Sequence, residues 1–157
     1  NSREKEGETM NRNLFLYLRE LNLTDEEIKY IEQNNQFIYQ TSKEHTKLVL
    51  DKLREKGITE IELKNLLVKN IYLVTETLDR INKLDNIYIN YLNFSNEEIK
   101  YLLITNANTY SVSPIELKNI IDYLTNTGYS IEIIKKFILS NPQVISFTLE
   151  ELKRNLI

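Results

Sequence analysis

Four lysines recur at a near-constant interval. Lys29, Lys64, Lys100 and Lys135 are separated by 35, 36 and 35 residues. Tyr30 and Tyr101 stand beside two of them, and Lys136 beside the last. A row of ammonium groups at regular spacing suits a phosphate backbone, and adjacent aromatic rings offer faces on which bases stack. Four phosphate contacts of this kind correspond to a salt slope of roughly −3 to −4. The plainer reading is a solvated helix face. Glu26 precedes Lys29 at helical spacing, as Glu60 precedes Lys64, Glu97 Lys100, and Glu132 Lys135. Such pairs contribute only ~0.2–0.5 kcal/mol each. A second basic register holds Lys47, Lys118 and Lys153, with Asn82 in the remaining place. Glu116 and Glu151 fall in the same stretches and oppose a polyanion, so a solvated face is the plainer reading here too.

Residues for bond-making chemistry are sparse. His45 is the single histidine, and its counterparts one interval on are Arg80, Glu116 and Glu151. A register that varies in this way is expected to face solvent. Cysteine is absent, and no His/Cys/Asp cluster has metal-ligand spacing. No glycine-rich phosphate loop is present. Paired carboxylates such as Glu26-Glu27 and Glu150-Glu151 belong to first helical turns, where they favour the helix dipole. The chain reads as non-catalytic, with no cofactor and no metal.

The elements that carry these lysines repeat with them. In the stretch from Leu124 to Ile157, Gly128 ends a helix, Ser130 caps the next, Asn141 ends that one, and Thr148 caps a third. Ser130 maps onto Ser95, Thr59 and Thr24, and Asn141 onto Asn106, Asn70 and Asn35. Thr148 maps onto Ser113, Thr77 and Ser42, and Gly128 onto Asn93, Gly57 and Asn22. Registers moving together at a 35-residue period predict an all-α solenoid of about four 35-residue helix-pair repeats preceded by one helix. The repeats span about 23–56, 57–91, 92–126 and 127–157, within a single domain 11–157 that follows a polar tail, 1–10. The one extra residue lies between Thr77 and Asn93.

Within each repeat a short first helix, a tucked turn of 3₁₀ type and a longer second helix are expected. Thr24 with Glu27, Thr59 with Glu62 and Ser95 with Glu98 have capping-box spacing, whereas Ser130 meets Ile133. The apolar seam runs through Ile28 and Ile31, Leu63 and Leu66, Ile99 and Leu102, and Ile134 and Phe137. The second helices are expected over Lys43–Lys56, Leu78–Leu92 and Pro114–Thr127. The asparagine ladder suits left-handed exits and local backbone bonds. Most of the ten tyrosines, Tyr39 and Tyr110 among them, are expected in the seam. Glu32 and Gln33 replace pairs that are apolar in later repeats, which marks the first repeat as an N-terminal cap.

Composition bounds the partners. The net charge is −3 and the pI about 5.4, which weighs against non-specific attraction to polyanions. No apolar run reaches the roughly 18 residues of a membrane span. The lack of cysteine fits a reducing, intracellular compartment. The last helix is short and ends on Leu156 and Ile157 without a cap, so a fragment, or an end held by a partner, is expected.

The stretches LNFSNEEIKYLLITNANTYSVS and TGYSIEIIKKFILSNPQVISFTLEELK resemble repeats of the mitochondrial transcription termination factor family. The likeness is best over Leu92–Ile157, recognisable over Gly57–Tyr91 and loose over Leu21–Lys56. The family's Asn-Pro step is kept only at Asn141-Pro142. The resemblance implies a curved helical solenoid without enzymatic activity or cofactor, binding duplex DNA or structured RNA through a basic groove. Here the contacts would fall to Lys29, Lys64, Lys100 and Lys135 or to Lys47, Lys118 and Lys153. The acidic balance points instead to a protein-interaction scaffold using the same surface.

Overall fold

The computed structural model describes residues 9–155. Most of the expected tail, and the terminal Leu156 and Ile157, lie outside that range. Among the described residues there are nine α-helices and no strand. The chain divides into two compact halves, Asn1–Thr77 and Leu78–Ile157.

The N-terminal half holds α1 (Arg12–Glu20), α2 (Asp25–Asn34), α3 (Lys43–Arg54) and α4 (Glu60–Lys69). Its 3₁₀ turns span Gln36–Gln40 and Ile71–Thr75. The C-terminal half holds α5 (Leu78–Asp85), α6 (Asn96–Thr105), α7 (Pro114–Asn126), α8 (Ile131–Ser140) and α9 (Leu149–Asn155). A third 3₁₀ turn spans Pro142–Ser146. The equivalent link after α6 is an irregular turn rather than 3₁₀. The repeat is therefore a leading helix (α2, α4, α6, α8), a tight turn, and a trailing helix (α3, α5, α7, α9). In the N-terminal half α3 packs on α1; in the C-terminal half α7 packs on α5 and α9, and α8 on α6.

Local chemistry sets every boundary. Asn22 after α1, and Gly57, Asn93 and Gly128 after trailing helices, have φ of 72°, 90°, 60° and 110°. This is the left-handed region that glycine enters freely and asparagine tolerates. Thr24 accepts the Glu27 amide at 3.1 Å while Glu27 accepts the Thr24 amide at 2.8 Å. Thr59 with Glu62 and Ser95 with Glu98 repeat the reciprocal box. Thr148 and Glu151 form one more. Ser130 accepts the Ile133 amide at 3.2 Å and nothing returns. Ile133→Glu is expected to complete that box and add about 0.5 kcal/mol, read as a higher urea midpoint at unchanged slope.

The extra residue of the second interval is wound into the backbone. α5 stops at Asp85, seven residues short of the expected Leu92, and Asn86–Tyr91 continues as a π-helix. A π turn absorbs one inserted residue without breaking the helix. The exit bond shows the added length. Leu23 and Tyr129 donate five residues back, to Leu18 and Leu124, whereas Phe94 donates six back, to Tyr88 at 2.8 Å. Tyr88, the acceptor of that bond, holds the core register of Leu18 and Leu124 and is fully buried, so the added residue lies after it.

The seam is buried as the periodicity requires, from Ile28 to Ile134, with Phe137 half-exposed. Burying each such side chain contributes roughly 1.5–3 kcal/mol. Three expectations change. Of the paired positions after the seam only the first is core: Leu67, Leu103 and Ile138 are buried, but Val68 and Ile104 are exposed. Helical geometry turns the second of two adjacent residues away. The tyrosines are not mostly in the seam: Tyr17, Tyr88 and Tyr110 are buried, Tyr39 is half-exposed, and Tyr30, Tyr72, Tyr101 and Tyr129 face solvent. The tail stops sooner than residue 10, because Met10 is buried and its amide donates to Glu32 at 3.1 Å.

The asparagine ladder is structural, though not through left-handed backbone. Asn35, Asn70, Asn106 and Asn141 have φ of −121°, −128°, −142° and −137°. Asn35 accepts the Phe37 amide with Oδ1, and its Nδ2 donates to the Ile71 carbonyl and Thr75 hydroxyl, both at 3.0 Å. Asn106 accepts the Asn108 amide and donates to the Pro142 carbonyl and Ser146 hydroxyl, both at 3.1 Å. One side chain thus opens its own turn and clamps the turn of the next repeat.

Candidate nucleic-acid interface

Two lysines of the leading helices reach past the acids one turn back to the preceding leading helix. Lys64 on α4 reaches the capping-box Glu27 of α2, at 3.8 Å. Lys135 on α8 reaches the capping-box Glu98 of α6, at 2.8 Å, and donates to the Asn93 carbonyl at 2.9 Å. Its ammonium also lies 5.5 Å from the centre of the Phe94 ring. Lys64 and Lys135 therefore each staple one leading helix to the one before it. The signal was present in the sequence: Glu27 to Lys64 and Glu98 to Lys135 are both 37 residues apart. Lys29 is exposed and Lys100 half-buried. Tyr30 and Tyr101, expected beside the ladder, have exposed rings.

The staple has a pH signature. Burial raises the Glu98 pKa, but the Lys135 ammonium and the Ser95 amide and hydroxyl together hold it below the usual carboxylate value of 4.5. A carboxylate lowered in the folded state adds stability above its unfolded pKa and loses it as pH falls through the folded one. Glu98→Gln is therefore expected to flatten the fall in stability below pH 4.5, measured by urea midpoints across the acid range.

The second register lies on the trailing helices. Lys47 is exposed and bonds Asp51 at 3.1 Å. Lys118 bonds Asp122 at 2.6 Å and lies 4.7 Å from the Tyr91 ring centre. The bond to Asp122 raises its pKa, so it is fully charged at neutral pH. Lys153 is exposed and lies 5.0 Å from the Tyr123 ring centre. Both rings hold their cations by cation–π attraction while leaving them reachable from solvent.

In the C-terminal half the register opens onto a groove. Between α5 with its π segment and α7 runs an open trough of about 600 Å³. Asn82, Lys83 and Asn86 line one wall, and Ile115, Lys118 and Asn119 the other. Lys83 is exposed and pairs with Asp79 at 3.0 Å. The two cations suit phosphate oxygens, and the three amides can donate to and accept from base edges or sugar hydroxyls. Exposed pairs such as Lys83–Asp79 cost little to exchange for a phosphate. Asn86 and Asn119 were not anticipated; the inserted residue between Thr77 and Asn93 marked only the stretch that holds Asn86.

Other polar residues are committed elsewhere. His45 is half-buried, and its Nε2–H donates to the Glu76 carbonyl at 2.8 Å. Arg80, its counterpart, donates to the Val112 carbonyl at 3.3 Å. At His45 and Arg80 that register secures backbone instead of facing solvent, whereas Glu151 accepts the amide of its own cap. Arg54 forks onto Glu60 with two 3.0 Å bonds and also holds Asp51 and Tyr17. Among the described residues no three His, Cys, Asp or Glu side chains group as metal ligands.

Periodic caps, left-handed exits and inter-repeat clamps define one repeat type, and the mTERF family model matches residues 2–157. The chain belongs to the mTERF family. The match covers the N-terminal repeat, where the likeness by eye was loose, as well as the C-terminal ones. No curated protein matches the chain. mTERF proteins form an all-α, non-enzymatic helical-repeat family in which nucleic-acid binding is typical. Among the described residues of this mTERF chain no helix is long and apolar enough to cross a membrane.

Proposed function

We propose that this mTERF chain is a non-catalytic module that binds nucleic acid along its trailing helices. Support comes from one observation above others. Lys83, Lys118 and the amides of Asn82, Asn86 and Asn119 converge on a single open groove. Lys47 and Lys153 extend the same register on α3 and α9. Contacts through the trailing helices are favoured over the leading-helix ladder because Lys47, Lys83 and Lys118 pair with acids of their own helix, exposed pairs that cost little to exchange, whereas Lys64 and Lys135 bridge two helices. Lys29, exposed on α2, then serves as an accessory cation at most. A protein ligand on the trailing face is the second reading, favoured by the net charge of −3.

The two readings separate by salt. Fluorescence anisotropy with labelled duplex DNA, single-stranded DNA and structured RNA is expected to show binding at about 50 mM salt that weakens steeply by about 200 mM. Two groove lysines on phosphates give a log–log slope of about −1.4 to −1.8, and Lys153 on α9 steepens it. Lys83→Glu with Lys118→Glu is expected to weaken binding by at least about tenfold and to flatten the slope. No binding of any of the three at about 50 mM salt and tens of micromolar protein would overturn the nucleic-acid reading.

A further inference from the structure

The two walls of the trough between α5 and α7 follow one pattern. On α7 Lys118 pairs with Asp122 one turn on, as Lys47 pairs with Asp51 on α3. The equivalent positions of α5 and its π segment hold Asn82 and Asn86. On α5 Asp79 pairs with Lys83, and the equivalent positions of α7 hold Ile115 and Asn119. Each wall therefore keeps one ion pair and replaces the other with an uncharged pair. The four uncharged side chains line the trough and are exposed, Ile115 at 73 %.

Charge and shape together limit what such a trough holds. Its cations, Lys83 and Lys118, are matched by Asp79 and Asp122, and Asp79 itself lines the trough. Duplex binding draws a large share of its affinity from neutralised phosphates. A trough without net charge supplies little long-range attraction for them. The base edges of a duplex lie deep in its grooves and are reached by a protruding helix or β-ribbon. Amides that line a recess do not enter another recess. A base outside a pair brings its edge to them instead, and a carboxamide both donates and accepts, as base edges do. Asn90 Nδ2 already donates to Asn86 Oδ1 at 2.9 Å, so Asn86 meets a base chiefly as a donor. Ile115 offers an apolar surface to base faces. Lys118 lies 4.7 Å from the Tyr91 ring centre, and its move to a phosphate frees that ring for stacking.

We propose that the trough binds an unpaired stretch of nucleic acid, an inference that rests on the nucleic-acid reading of the same site and names the form the ligand takes. The bases face inward, with their edges on Asn82, Asn86 and Asn119 and their faces on Ile115 and Tyr91. The phosphates of the one strand face outward, on Lys83 and Lys118.

The test titrates the whole chain into labelled RNA and DNA oligonucleotides of about 12 nucleotides, one unstructured sequence in each sugar, offered as a single strand and as its duplex. Anisotropy is read at about 50 mM salt. The comparison is made within the sugar that binds tighter, which also tells RNA from DNA. The single strand is expected to bind at least about tenfold tighter than its own duplex. Asn86→Ala with Asn119→Ala is expected to weaken the single strand by at least about tenfold and to leave the salt slope unchanged, because no phosphate contact is lost. Both side chains are exposed, and an unchanged urea midpoint shows that the variant is folded. A duplex bound as tightly as its strand overturns the inference and leaves the nucleic-acid reading standing. Single-strand binding unmoved by the amide variant does the same. No binding of strand or duplex at tens of micromolar protein overturns both.

Discussion

Tyr88→Ala is expected to destabilise the C-terminal half by about 3–5 kcal/mol, the largest single-residue effect in the molecule. Tyr88 is fully buried and its hydroxyl donates to the buried Thr109 carbonyl at 2.7 Å. Its ring meets Tyr110 edge-on at 5.8 Å and Phe94 at 6.1 Å. The Tyr110 hydroxyl in turn donates to Asp85. Burial, then the Asp85 carboxylate, pushes the Tyr88 pKa far up, so the phenol remains a donor at any pH at which the protein is folded. Truncation leaves a ring-sized void and an unpaired carbonyl. Tyr88→Phe separates the two losses: it keeps the ring and removes only the donor, and about 1–2 kcal/mol is expected. Urea titration followed by circular dichroism reads both. A cost below about 1.5 kcal/mol for Tyr88→Ala would mean that the π-helical segment repacks around the loss.

Asn35→Ala is expected to cost about 2–4 kcal/mol. Asn35 is fully buried and uses both ends of its amide, accepting from Phe37 and donating to Ile71 and Thr75. Removal strands the Phe37 amide and the Ile71 carbonyl together and unties two consecutive turns. Asn141→Ala is the matched control. Its Nδ2 donates only to the Phe137 carbonyl within its own helix, and its side chain is half-exposed, so less than about 1 kcal/mol is expected. Similar losses for both variants would show that the asparagine acts within its own repeat and not as a clamp between repeats.

The period, the helix limits and the cap chemistry were legible because they are local. A hydroxyl three residues before a carboxylate, or a glycine or asparagine after an apolar run, acts on backbone a few residues away. Hence Thr24, Thr59 and Ser95 cap as their spacing demands, and Asn22, Gly57, Asn93 and Gly128 all take positive φ. The family, too, follows from these recurring landmarks. What the side chains do to the neighbouring repeat was not legible. The lysine ladder looked like a phosphate track or an in-helix salt bridge, yet Lys64 and Lys135 find the capping glutamates 37 residues back. The asparagine ladder looked like left-handed exits, yet Asn35 and Asn106 clamp the next turn from extended backbone. His45 looked solvent-facing, yet it holds a carbonyl 31 residues on. One inserted residue appeared as a gap in the period, and packing made it a π turn whose Asn86 and Ile87 line the groove with Lys118. Residue spacing specifies which face of a helix a side chain occupies. Only the packing of helix against helix decides what that face meets, and so which lysines are consumed as staples and which stay open to a ligand.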